Sequence, residues 1–274
     1  MKPLTATSAW LSTLDALLQY GTTISPRGKE TYENLHYTLS FDLRYPIIRV
    51  PARRLSYRFL AAEALWINNG DDRVSTIAPY NPNIAQFSDD GQQFFGAYGP
   101  RVEEQFAGVV LALFNDPATR QAVMMLWRPN PPKTKDVPCT LALTFNVRDD
   151  RLNCHAFMRS SDAWLGLPYD GFTFSTIAYR VACGLNRINR DVGRTWRVGL
   201  GRLYLSAVSS HLYAQNKDAA RECVLSRGEK PDYDDAAGEW LDKTVREGHW
   251  AAITDELVVC RDKLVIASKW RIRP

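Results

Sequence analysis

The sequence contains no uninterrupted run of roughly 18 apolar residues, which argues against a membrane-spanning helix. Its first residues also lack the apolar core of a secretory leader. Only five cysteines occur among 274 residues, and no Cys-x-x-Cys or His-x-x-x-His pattern is present, so we expect no metal site. The wide spacing of the cysteines favours free thiols and a cytoplasmic protein.

Dense runs of lysine and arginine are also missing, although the formal net charge is +4. A weak positive charge without basic clusters argues against a nucleic-acid partner and suits a small anionic ligand. The length is compatible with one large domain or two small ones. Since neither an internal repeat nor a low-complexity linker is visible, we predict a single domain over residues 1–274.

Hydrophobic periodicity predicts a mixed α/β (α+β) fold with a large sheet and a few long helices. Helices are predicted at 10–18, 54–67, 101–115, 172–186 and 235–247. Strands are predicted at 36–43, 47–50, 121–127, 141–147, 152–158 and 196–208, with one or two more over 257–271. Residues 71–100 are rich in Asn, Asp, Gly and Pro without clear periodicity, and irregular stretches this long are often functional.

Several short segments are more specific than this periodicity. In chain order they are EALW (63–66), GAYG (96–99), DPATR (116–120), VPCT (137–140), RSSDAWLGLPYD (159–170) and SHLY (210–213). Each segment alone is a weak signal. Their order and spacing, from about residue 20 to about residue 215, resemble the thymidylate synthase family.

The resemblance implies a thymidylate synthase-like fold that forms a homodimer through its sheet, and 5,10-methylenetetrahydrofolate as the one-carbon donor. It implies catalytic roles for Cys139, Glu63, Tyr98 and Asp170. It implies phosphate binding by Arg27, Arg159 and Ser160, together with Arg120 donated from the other subunit. The sugar would contact His211 and Tyr213, and the folate would contact Asp162, Ile84 and Trp66.

Cys139 is the expected nucleophile because C5 of a pyrimidine is unreactive until a thiolate adds to C6. The addition makes C5 enamine-like, so covalent catalysis divides one difficult step into easier ones. Arg159 is the candidate cation that activates the thiol. Structural alternatives remain open: Cys139 as a buried cysteine, Glu63 in a satisfied ion pair and His211 as an interior histidine.

Asp170 determines the predicted substrate. Thymidylate synthases carry Asn at the matching position, whereas the resemblance here is to phage deoxycytidylate hydroxymethylases. A carboxylate accepts from the N4 amine of cytosine, but leaves an acceptor facing O4 of uracil. We therefore predict a cytidine monophosphate as substrate, with ribose or deoxyribose undecided. A helix N-cap is the structural alternative for Asp170.

Departures from the family pattern favour a hydroxymethyl product over a methyl product. Ile84 and Phe87 stand where thymidylate synthases carry two tryptophans, and the basic end at 269–274 replaces a short apolar tail. Both changes favour water at the reacting carbon. Gln121 replaces the usual second arginine, with Arg53 or Arg54 as possible substitutes. The alternatives are a cytidylate methyltransferase, a deoxyuridylate-using thymidylate synthase and a non-catalytic nucleotide-binding homologue.

Overall fold

A computed structural model of the chain describes residues 3–228 and 233–262. Its six-stranded sheet has the spatial order β1-β2-β6-β5-β4-β3. The strands are β1 (Thr22–Ile24), β2 (Thr31–Asp42), β3 (Val123–Met125), β4 (Thr140–Arg148), β5 (Arg151–Asp162) and β6 (Gly199–Tyr213). All neighbouring strands are antiparallel except β5 and β6, so the sheet is mixed, as predicted.

The helices pack largely on one face of this sheet. They are α1 (Ala6–Tyr20), α2 (Tyr57–Asn68), α3 (Val74–Ile77), α4 (Tyr98–Asn115), α5 (Leu167–Asp191), α6 (Lys217–Leu225), α7 (Asp235–Arg246) and α8 (Trp250–Arg261). The helix α5 lies in the centre, with Phe172, Phe174 and Ile177 fully buried. Burial on nearly all sides is typical of a helix in the core of a large domain.

The parallel pairing of β5 with β6 brings the functional segments together. The chain leaves β5, runs through α5 and returns along β6, which makes a crossover connection between parallel strands. The carboxyl ends of the two strands therefore lie side by side, with Asp162 paired to His211. Polar residues at such an edge are well placed to bind a ligand.

The opposite face of the sheet is left uncovered and carries exposed apolar side chains. Val208 is 61% exposed, and Phe157 and Met125 are also exposed. His155 stacks on Tyr204 on the same face, with ring centroids 4.5 Å apart. Exposed apolar side chains that share one face of a sheet mark an interaction site more often than isolated ones do.

Two strand predictions differ from the structure. Residues 47–50 form no strand, although Ile47, Ile48 and Val50 are buried. The Ile47 carbonyl instead accepts a hydrogen bond from the Thr7 hydroxyl at 3.2 Å. The prediction of strands over 257–271 is wrong for its described part, because α8 extends to Arg261. Its buried residues Ile253 and Leu257 are spaced four apart, which is a helical period. Residues 263–274, including the basic end at 269–274, lie outside the described residues.

Candidate active site

A thiol, a phenol and two carboxyls converge where α2, α4 and α5 meet the edge of the sheet. Cys139 immediately precedes β4, Tyr98 is the first residue of α4, Glu63 lies in the middle of α2, and Asp170 lies in the first turn of α5. The electrostatic influence of Asp170 reaches the other three groups. The four predicted catalytic residues thus belong to one cluster.

The Cys139 thiol is held against the Arg159 guanidinium. The Nη2 atom of Arg159 lies 3.6 Å from Cys139 Sγ and also donates to the Val137 carbonyl at 3.0 Å. The Nε atom of Arg159 donates to the Pro138 carbonyl at 2.9 Å. Because Nη1 makes no hydrogen bond within the described part of the chain, its two N–H groups are available for a phosphate.

Arg159 alone does not activate the thiol. Burial raises the pKa of Cys139, the Arg159 guanidinium partly offsets this, and the nearby carboxylates of Asp170, Asp136 and Asp162 raise the pKa further. Arg159 lies beside the sulfur, as expected. Burial nevertheless raises the pKa of the thiol by more than the positive charge of Arg159 lowers it. Thiolate formation therefore requires further positive charge or the expulsion of negative charge.

Tyr98 and Thr140 form a hydrogen-bonded pair next to the nucleophile. The Tyr98 hydroxyl lies 2.9 Å from Thr140 Oγ1 and accepts a hydrogen bond from the Thr140 backbone N–H at 3.2 Å. Burial raises the pKa of Tyr98 well above its ordinary value, so the phenol stays neutral. Thr140 stands where most thymidylate synthases carry histidine, and our sequence reasoning gave it no role.

The carboxyls of Glu63 and Asp170 make no hydrogen bond to any residue that the structure describes. Both keep some surface open to solvent but are otherwise surrounded by protein. Burial, together with repulsion from Asp170, raises the pKa of Glu63 to about 8. Burial, together with repulsion from Asp162, raises the pKa of Asp170 to about 7. Glu63 forms no ion pair with any residue in the described ranges. Asp170 is not the N-cap of α5, because the helix begins at Leu167.

The turn between β5 and α5 positions Asp162 and Asp170. Asp162 Oδ1 accepts backbone N–H groups from Trp164 at 2.8 Å and Leu165 at 2.9 Å, which fixes the turn. A Cβ atom at Gly166 would lie 3.2 Å from Asp170 Oδ2, so a glycine here gives the carboxyl room. No described residue bonds to Asp162 Oδ2, which is left to meet a ligand.

The predicted sugar and phosphate residues lie along the ends of β5 and β6. Ser160 Oγ is 3.4 Å from His211 Nδ1, and the His211 and Tyr213 rings meet edge to face at 5.4 Å. The Glu30 carbonyl accepts the Ala214 N–H at 3.0 Å, which brings the loop carrying Arg27 to the end of β6. Arg27 is exposed and has a left-handed backbone, with φ 55°.

Arg120 is not part of this cluster within one chain. It is exposed after α4 and makes no hydrogen bond or ion pair with any described residue. Of the two substitutes considered for the second family arginine, Arg53 is held by other residues, whereas Arg54 is as exposed as Arg120. The Nη2 atom of Arg53 donates to the Trp164 carbonyl at 2.8 Å while its guanidinium stacks 4.4 Å from the Trp164 ring centroid. Arg54 is exposed.

The predicted folate residues differ in accessibility. Ile84 is half-buried in a short 3-10 helix, Pro82–Phe87, and Phe87 is 48% exposed. Trp66 is 9% exposed and packs edge-on against Phe94, with ring centroids 5.7 Å apart. Its indole N–H is buried without a partner among the described residues. Contact between Trp66 and a folate would therefore require this side chain to become more accessible.

No helix in the described part of the chain is long and apolar enough to cross a membrane. Within the same residues, no group of three or more His, Cys, Asp or Glu side chains could hold a metal ion. All five cysteines are free thiols.

Comparison with known proteins agrees with this arrangement. A family model described as thymidylate synthase matches residues 8–234. The chain therefore belongs to the thymidylate synthase family. A curated protein named deoxyuridylate hydroxymethyltransferase, from Bacillus phage SP01, is 30% identical over 236 residues, which cover 78% of this chain. The chain spans 58% of the length of that relative.

Proposed function

We propose that the chain transfers a one-carbon unit to C5 of a cytidine monophosphate and releases the 5-hydroxymethyl nucleotide. The observation that carries the proposal is the cluster of Cys139, Tyr98, Glu63 and Asp170, in which the two carboxyls lack hydrogen-bond partners among the described residues. Buried polar groups without partners are costly in a folded protein unless a ligand completes them. A pyrimidine ring offers both an electrophilic C6 for the thiol and polar edges for the carboxyls.

In this proposal Cys139 attacks C6 of the base while Arg159 stabilises the developing thiolate. Arg159 Nη1 would bind the phosphate together with Ser160 and Arg27, and His211 and Tyr213 would contact the sugar. Glu63 holds a proton at neutral pH because its pKa is raised to about 8, so it can pass that proton through water to the edge of the base. The neutral Tyr98 hydroxyl would relay the proton that leaves C5 to a bound water molecule, giving up its own proton as it takes the one from C5.

Asp170 supports the choice of cytosine. Its carboxyl, with a pKa near 7, is partly protonated at neutral pH, so it can accept from the N4 amine and donate to the unprotonated N3. Whenever the group ionises, its charge attracts the amine of cytosine and repels the O4 of uracil. The name of the phage relative favours deoxyuridylate as the second candidate substrate.

The one-carbon donor we propose is 5,10-methylenetetrahydrofolate, which would supply the carbon at the oxidation level of formaldehyde. Asp162 Oδ2 fits a hydrogen bond to the donor's pterin, because Oδ1 alone is used to hold the turn. Ile84 would line the same side of the cleft. Exposed Phe87, in place of the family's tryptophan, would leave water a route to the reacting carbon and favours the hydroxymethyl product.

We also propose a homodimer formed through the uncovered face of the sheet. The exposed apolar residues on that face would be buried in the dimer, and Arg120 would reach the partner's phosphate site. This would give a role to an arginine that has no partner among the described residues of its own chain. A cytoplasmic location and a single domain over residues 1–274 complete the proposal, the first supported by the free thiols.

The proposal is tested by tritium release from 5-tritiated CMP, dCMP and dUMP, with and without methylenetetrahydrofolate. Donor-dependent release from a cytidylate, with a product heavier by a hydroxymethyl group, is expected. Release from dUMP alone would overturn the assignment of cytosine. A product heavier by a methyl group would establish the methyltransferase alternative, and nucleotide binding without release would indicate a non-catalytic homologue.

A further inference from the structure

The loop that precedes the nucleophile is attached to the loop that precedes Tyr98. Asp136 Oδ2 accepts the Gly96 backbone N–H at 2.7 Å, across 40 positions of the chain. Asp136 lies three residues before Cys139, and Gly96 lies two residues before Tyr98. This hydrogen bond joins the backbones of the two loops and adds to the bonds that Thr140 makes with the Tyr98 hydroxyl.

The two loops also fit closely around this hydrogen bond. Gly96 is buried, and a Cβ atom there would lie 2.4 Å from the Asp136 carbonyl oxygen and 2.8 Å from Asp136 Oδ2. Both distances are shorter than side chains tolerate, so only glycine permits the approach. Close backbone contact makes the position of one loop depend on the other.

A second carboxylate supports the same loop further from the nucleophile. Asp89 Oδ1 accepts the Lys135 backbone N–H at 3.0 Å, and Asp89 Oδ2 is hydrogen-bonded to the Thr134 hydroxyl. The Thr134 hydroxyl in turn accepts the Asp136 backbone N–H at 3.1 Å. The segment 134–136 is thus held from two sides by the irregular region 88–96.

We propose that Asp136 is a positioning residue that sets the distance between Cys139 and Tyr98 by accepting the Gly96 N–H. The inference deepens the proposed function, since both groups would act on the same pyrimidine ring. Placement errors of about 1 Å reduce catalysis by on the order of 100-fold, so one bond at this point has a large effect on turnover.

Asp136 has two effects that can be separated by substitution. Its negative charge disfavours the Cys139 thiolate, whereas its hydrogen bond to Gly96 joins the two loops. The carboxylate is among the groups that raise the pKa of Cys139, after burial and against the opposing influence of Arg159. Asp136→Asn keeps an acceptor oxygen for Gly96 and removes the charge. Asp136→Ala removes both, and Asp136→Glu keeps the charge but moves the carboxylate by one methylene.

Two assays test the proposal. The first follows the rate of Cys139 alkylation by iodoacetamide as a function of pH, detected by mass mapping of the Cys139 peptide. The second measures kcat and KM for tritium release. We expect Asp136→Asn to retain kcat within about threefold and to titrate its thiol at lower pH. We expect Asp136→Ala and Asp136→Glu to lose at least about tenfold in kcat with smaller changes in KM. Asp149→Asn, at the exposed turn at the far end of β4, is the matched control and should match the wild type in both assays.

Equal losses in the Asn and Ala variants would overturn the proposal, because the hydrogen bond would then have no separate effect. Wild-type turnover in the Glu variant would also overturn it, and that variant decides the question if the Ala variant fails to fold. The alkylation assay needs neither nucleotide nor folate. An inactive wild-type protein would therefore count against the proposed function, whereas identical rates of Cys139 alkylation in Asp136→Asn and Asp136→Ala, which differ only in the acceptor for Gly96, would count against the positioning role of Asp136.

Discussion

Replacing Asp170 with asparagine is expected to shift the substrate preference from cytidylate towards deoxyuridylate. The asparagine is close in shape and removes the charge that would attract the cytosine amine and repel O4 of uracil. It also offers an N–H donor to O4, as the matching residue of thymidylate synthases does. The substitution therefore changes hydrogen-bond character and charge at one position and little else.

The size of the shift follows from the burial of this group. Leaving one buried donor or acceptor unmatched costs about 1–3 kcal/mol, and each 1.4 kcal/mol corresponds to about tenfold in a rate or binding ratio. We therefore expect the ratio of kcat/KM for dCMP to that for dUMP to fall by roughly 5- to 150-fold. Steady-state kinetics on both nucleotides, for the wild type and Asp170→Asn, would measure it.

The same substitution predicts a pH dependence of stability with a definite sign. The folded pKa of Asp170 is raised from 3.8 to about 7, so its favourable contribution is complete below about pH 4 and is lost as pH rises through 7. Asn does not titrate, so Asp170→Asn should gain stability relative to the wild type between pH 5 and pH 8. The gain is at most roughly 4 kcal/mol, since each pKa unit corresponds to about 1.36 kcal/mol and part of the carboxyl contacts solvent.

Urea denaturation of both proteins at pH 5 and pH 8 would measure this difference, with Asp149→Asn as the control for removing one carboxylate. An unchanged preference between dCMP and dUMP would show that Asp170 does not read the base. A stability difference that is constant with pH would show that the carboxyl is ionised across the whole range. The first result would refute the predicted change in substrate preference, and the second would refute the predicted pH dependence of stability.

Three further predictions concern the reacting groups and the dimer. Cys139→Ser should lower tritium release by at least about a thousandfold while leaving nucleotide binding by equilibrium dialysis within about threefold, and full turnover would exclude the covalent route. Glu63→Gln should reduce kcat by about 100-fold or more and flatten the limb of the pH–rate profile that otherwise titrates near pH 8; an unchanged profile would assign that limb to another group. Arg120→Ala should raise KM for the nucleotide. Mixing this variant with Cys139→Ser should restore part of the activity, because one of the two sites in the mixed dimer would contain both Cys139 and Arg120. No recovery in a verified heterodimer would place Arg120 outside the site.

Much of the fold was predictable because its elements have strong local patterns. The helix predicted at 54–67 corresponds to α2, and the strands predicted at 141–147 and 152–158 lie within β4 and β5. The error over the described residues 257–262 came from the β-branched pair Val258 and Val259. The spacing of Leu257 from Ile253, which precedes the predicted strand, carried the helical signal. Strand order and the parallel pairing of β5 with β6 depend on distant segments and had no local signature.

The candidate site was predictable only as a set of residue types, through resemblance to a family. The sequence identified Cys139, Glu63 and Asp170, but gave no sign that burial would raise the pKa of each. The hydrogen bond from Gly96 to Asp136 was not predicted, because 40 positions separate the partners. Charge and hydrogen-bond environment depend on tertiary packing, which periodicity and motif spacing do not contain.

The raised pKa values of Glu63 and Asp170 imply that the protonation state of one carboxyl affects the pKa of the other. The charge of Asp170 contributes to raising the pKa of Glu63, so ionisation of one acid opposes ionisation of the other. In the proposed complex, a cytosine that keeps Asp170 protonated would remove this repulsion and lower the pKa of Glu63. The proton on Glu63 would then be released more readily when cytosine is bound. In the proposed reaction, recognition of the base and transfer of the proton would thus be coupled by electrostatics between two neighbouring carboxyls.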